Sequence, residues 1–161
     1  MTYVLVSILF ISFGIMLYQD VRYRHIHIGL PILVFVVSMY MNKDIIVLFD
    51  GLKSLAFIGI NFLSIVTYFS IKKSKFQNPF KEYIGIGDLV FLIAVIPLFS
   101  FRNYMLFFIS GMILSLVLYA IFQNKNEQKT IPLAGYLSLY IIGLMIPNLF
   151  LSTNIFYDFI I

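Results

Sequence analysis

The sequence predicts an all-α integral membrane protein of about six transmembrane helices, and three observations predict it. Hydrophobic residues make up 61% of the chain and charged residues 11%, with a mean hydropathy of +1.00. A water-soluble chain this rich in Phe, Ile and Leu would expose large apolar patches. The apolar residues fall in runs parted by short polar breaks, and Lys and Arg gather in alternate breaks. The 161 residues read as one polytopic domain, 1–161, because stacked spans leave no room for another.

The first span is expected over Tyr3–Tyr18. It has no basic segment before it, and Asp20, Arg22 and Arg24 follow it, so it reads as a retained span rather than a secretory signal. The second covers Ile28–Met41. For the third, Ile45–Lys53 reads as an interfacial lead-in, with Asp50 and Lys53 on one helix face, and Leu55–Ile71 crosses. The fourth, Leu89–Phe101, is parted from the fifth, Met105–Phe122, by Arg102-Asn103. The sixth runs Ile131–Leu151. Spans one, two and four fall short of the roughly 20 residues that cross hydrocarbon. Pro97 and Pro147 are positions for kinks.

Charge sets the orientation. The breaks after spans one, three and five hold Arg22, Arg24, Lys72, Lys73, Lys75, Lys81, Lys125 and Lys129, eight basic residues. The other side holds three: Lys43, Lys53 and Arg102. Positive loops stay in the cytoplasm, so both termini face outward. This use of Lys and Arg also accounts for the net charge of +4 without nucleic acid as a partner. Membrane lipid is the expected partner, with Lys72, Lys73, Lys75 and Lys81 at anionic headgroups and Glu82 pairing locally. Asp158 falls on the outer side. Cysteine is absent, which excludes disulfides and thiolate metal sites, and His25 and His27 are too few for a histidine-built one. No cofactor and no metal are expected.

Two acids then share the cytoplasmic border. Asp20 closes the first apolar run, and Asp88 stands at the mouth of the fourth within Gly85-Ile86-Gly87-Asp88. Each has a plain reading: Asp88 as the N-cap of its helix, Asp20 as a solvated residue among basic neighbours. As a pair they do more. Two close carboxylates hold one proton between them, so one can activate water while the other donates to the scissile group. Gly85 and Gly87 permit backbone angles and close approaches that suit an extended peptide beside the acid. Border acids also fit a small proton- or cation-coupled transporter or channel subunit.

Asp20-Val21-Arg22 followed by Ile26, then Gly85-Ile86-Gly87-Asp88, then Ile131-Pro132-Leu133-Ala134-Gly135-Tyr136-Leu137, in that order over nearly the whole chain, resembles the type IV prepilin peptidases. These are membrane aspartyl proteases of the Gly-x-Gly-Asp class. The resemblance implies Asp20 and Asp88 as the catalytic pair, with Gly85, Gly87, Arg22, Ile26 and Pro132 around the site. It implies cleavage of a prepilin or pseudopilin leader at the cytoplasmic face of the cell membrane, in service of pili, secretion or DNA uptake. His27 and Ile28 stand where the family has Pro and Asn, Val90 where it has Lys, and Ala134-Gly135 where it has Gly-Pro. Those departures bear on efficiency and substrate preference, and they leave open a non-catalytic scaffold that binds pilins. Without the family's Cys-x-x-Cys insert, the chain resembles peptidase-only members, with no methyltransferase activity. A presenilin-like protease shares the Gly-x-Gly-Asp acid, but its Pro-Ala-Leu segment is missing.

Overall fold

The computed structural model describes residues 2–43, 48–73, 85–122 and 131–150. Among them are six helices and no strand: α1 Thr2–Tyr23, α2 Gly29–Met41, α3 Leu48–Lys73, α4 Ile86–Ala94 with a 3₁₀ turn Ile96–Leu98, α5 Phe101–Phe122 and α6 Leu133–Phe150. By length and composition, three can cross a membrane, over Val4–Tyr23, Leu48–Tyr68 and Phe101–Phe122. The apolar stretches Gly29–Met41, Ile86–Leu98 and Leu133–Pro147 are shorter. Lys75, Lys81, Glu82, Lys125, Lys129 and Asp158 lie outside the described residues.

Several boundaries differ from the expected ones, each for a local reason. Helix α1 runs past Tyr18 to Tyr23, so Asp20 lies inside it, one turn from its end. Nothing in Asp20–Tyr23 breaks a helix. The break comes at Arg24, which turns left-handed at φ 55° and donates its N–H to the Asp20 carbonyl at 3.0 Å. That bond is the simple left-handed C-terminal cap, made here without the usual glycine.

Helix α3 is continuous from Leu48, so Leu48–Lys53 is its opening and not a separate lead-in; Ile45–Val47 lie outside the described residues. Asp50 suits the positive end of the helix dipole, and it pairs with Lys53 at 3.3 Å as their spacing predicts.

The break between α4 and α5 falls at Val95–Ser100, whereas Arg102 and Asn103 sit in the first turn of α5. Pro97 has no N–H to continue α4, and it enters the 3₁₀ turn instead. Two buried side chains serve the carbonyls freed there. The Tyr104 hydroxyl donates to Leu92 C=O at 3.1 Å, and Asn42 Nδ2 donates to Pro97 C=O at 3.0 Å. Pro147, by contrast, is carried within α6.

Helix α1 makes its broadest contact with α6, which packs its other side on α5. Helix α2 lies against α1 and α4, and α3 against α5 and the 3₁₀ turn. The core is apolar: Leu9, Phe13 and Met16 of α1, Val34 of α2, Phe91 and Leu92 of α4, Leu137 and Ile141 of α6. Phe13 and Phe91 meet edge-to-face with ring centroids 6.2 Å apart, joining the two acid-bearing helices. Phe107 stacks between Phe99 and Tyr140, at 4.8 and 5.8 Å. Outward faces are apolar too, with Ile60, Leu63, Ile113, Leu116 and Ile121 all exposed. Water disfavours such a surface and hydrocarbon accepts it.

This topology brings the C-terminus of α1 to the N-termini of α2, α4 and α6. Helix α3 begins at the opposite end, where Lys53 lies 5.9 Å from the centre of the Phe101 ring.

Candidate functional site

The site is built from three helix ends. Asp20, on the last full turn of α1, is buried at 6% exposure. Asp88 is the third residue of α4 and is half-buried. Between them stands the first turn of α6, whose backbone N–H groups have no partner within their own helix. The Ala134 N–H donates to Asp88 Oδ1 at 3.0 Å, and the next amide, Gly135 N–H, donates to Asp20 Oδ2 at 2.6 Å. Two acids 68 positions apart in sequence therefore hang on adjacent amides of a third helix. Adjacent backbone nitrogens are about 3 Å apart, so the two bonds bring the carboxylates within roughly 9 Å of each other. They lie within electrostatic range of one another.

Asp88 is not the N-cap of α4. Gly85 holds that place, in an extended conformation, and the Asp88 carboxylate reaches back to the Gly85 N–H. This is the acidic half of a capping box. The glycines contribute room and not unusual backbone angles, since no glycine among the described residues has positive φ. A Cβ at Gly85 would stand 3.0 Å from Asp88 Oδ2. At Gly87 a Cβ would meet nothing within 4 Å, so the surface beside Asp88 is open there.

The remaining residues divide. Pro132 is buried and immediately precedes α6, its carbonyl accepting the Tyr136 N–H at 3.0 Å. Ile26 is a buried anchor of the α1–α2 connection, packed into the core and not presented to a ligand. Arg22 is exposed and lies 5.8 Å from the ring centres of both Tyr18 and Tyr23. Arg24, which the motif did not single out, is the cation within electrostatic range of both Asp20 and Asp88. It stands just past the end of α1, where the left-handed turn folds it back over the last turn that carries Asp20.

His27 does the work of a capping residue. Its Nδ1 accepts the Gly29 N–H at 3.3 Å, and its own N–H donates to Gln19 Oε1 at 3.0 Å. His27 thus places an acceptor at the start of α2.

The donors themselves, Ala134 and Gly135, escaped the reading of side chains. Glycine at 135 matters twice. Proline in that place would have no N–H for Asp20, and a Cβ there would come 3.1 Å from Asp20 Cβ and 3.5 Å from the Leu17 carbonyl. Among the described residues no group of three His, Cys, Asp or Glu is placed to hold a metal ion. No protein-family model, no curated protein and no solved structure matches this chain.

Proposed function

We propose that this chain is a membrane aspartic endopeptidase that removes the leader of type IV prepilin-like proteins at the cytoplasmic face. The observation that carries the reading is the convergence of Asp20 and Asp88 on consecutive amides of α6. One carboxylate, ionised, takes a proton from water as its oxygen adds to the scissile carbonyl carbon. The other, protonated, gives its proton to the amine nitrogen as the C–N bond breaks. The pair ends with its protons exchanged and is reset by solvent.

Membrane placement supports the same reading. If all six helices span, with α2, α4 and α6 in thinned bilayer or wrapped by their neighbours, the charge bias of the sequence turns the breaks after spans one, three and five, and with them the acid-bearing end, to the cytoplasm. The leader stays in water there while the hydrophobic helix of the substrate lies against the bundle. The open surface at Gly87 leaves room for an extended peptide beside Asp88.

The test is leader cleavage by the reconstituted chain with a candidate prepilin. D20N and D88N each abolish it, and a chelator leaves it unchanged. Cleavage surviving either substitution overturns the assignment.

A further inference from the structure

Residue 135 supplies two separable things to the site: a donor and an empty volume. Its N–H reaches Asp20 Oδ2 at 2.6 Å, the shorter of the two bonds from α6. A bond this short to a carboxylate belongs to the strong, charge-assisted class that fixes direction. The volume is equally constrained. A Cβ would stand 3.1 Å from Asp20 Cβ, 3.2 Å from Asp20 Oδ2 and 3.5 Å from Leu17 O. Asp20 Cβ is fixed close to the α1 backbone, so a Cβ at 135 is accommodated only if that side chain or α1 gives by a few tenths of an ångström, while the Leu17 carbonyl is already at contact distance. This spot lies on the α1–α6 seam, the broadest helix contact in the bundle.

We propose that Gly135 is the positioning residue of the carboxylate pair: its N–H aims the Asp20 carboxylate, and its bare Cα sets how near α1 comes to α6. Residue 135 exchanges no proton with water or substrate. It acts through Asp20, and only the kinetic arm of its test rests on the peptidase reading.

The direct measurement is the amide of Gly135 in the full chain, labelled with 15N-glycine and held in lipid nanodiscs. Nine glycines give a countable spectrum, and the signal lost in G135A identifies the residue. The expected amide proton lies downfield in the wild type and moves upfield in D20A, where the acceptor is gone, but not in D88A. An amide that ignores D20A overturns the proposal.

The kinetic arm uses G135A, which keeps the donor and adds a Cβ against Asp20. It is expected to lower kcat on the order of 10-fold with KM little changed, as misplacement of a catalytic group does, and to displace the pH profile. Loss of folded protein alone would leave the pH profile in place, and that result overturns the proposal. Should the wild-type chain cleave nothing while the Gly135 amide responds to D20A, the peptidase reading falls and the positioning bond stands.

Discussion

Asp88 is tied to Ala134, 46 residues downstream, by a 3.0 Å hydrogen bond from that residue's N–H. The tie fastens the start of α4 to the start of α6, and the Asp88 carboxylate also serves its own helix through Gly85. One side chain thus holds two helix ends together while standing in the candidate site.

Substitution at Asp88 should therefore separate structure from chemistry. Asn keeps an acceptor for the Ala134 N–H, so D88N should lose cleavage yet unfold within about 1 kcal/mol of the wild type. Leu keeps none, and D88L should lose roughly 1–3 kcal/mol more, the cost of stranding a buried donor. Equilibrium unfolding of the reconstituted variants measures both.

Cleavage should show a bell-shaped dependence on pH. At low pH both carboxyls are protonated and no base remains; at high pH both are ionised and no donor remains. Plotting kcat/KM against pH checks it, and a single-sided profile argues for one acid acting alone.

Orientation can be read from a chain with no native cysteine. Arg22→Cys should react with an impermeant maleimide only from the cytoplasmic side, and Lys43→Cys only from outside. Both residues are exposed. Labelling of both from one side defeats the six-span topology.

Tyr104→Phe removes the hydroxyl that serves the buried Leu92 carbonyl. The expected cost is about 1 kcal/mol, with activity retained. Equilibrium unfolding alongside a cleavage assay tests it; a loss of kcat with unchanged stability would mean the bond does something else.

The helices were legible because apolar runs and polar breaks alternate plainly, and the Asp50–Lys53 pair followed from helical spacing. Boundaries were less so. Apolarity marks where a helix meets hydrocarbon, not where it ends, so α1 ran on through Asp20 to Arg24. The break before α5 was sought at its charges, Arg102-Asn103, but the backbone breaks where proline lacks a donor, at Pro97. At the site, both acids and the order of the three motifs could be read as side chains. The donors from Ala134 and Gly135 could not, because every residue but proline carries an N–H and only the fold says where it points. Asn42 and Tyr104 were hidden for a related reason: their partners are carbonyls 55 and 12 residues away.

The short fourth helix has a last consequence. Ile86–Leu98 rises only about 20 Å, so in the six-span arrangement proposed above Val95–Ser100, with its irregular backbone, would sit at a depth where acyl chains offer peptide groups nothing. It survives there because Val95, Ile96, Leu98 and Phe99 are walled in and Asn42 and Tyr104 stand guard over the carbonyls. Harsh detergents, which pry helices apart, should undo the molecule here first, well before they reach the acids.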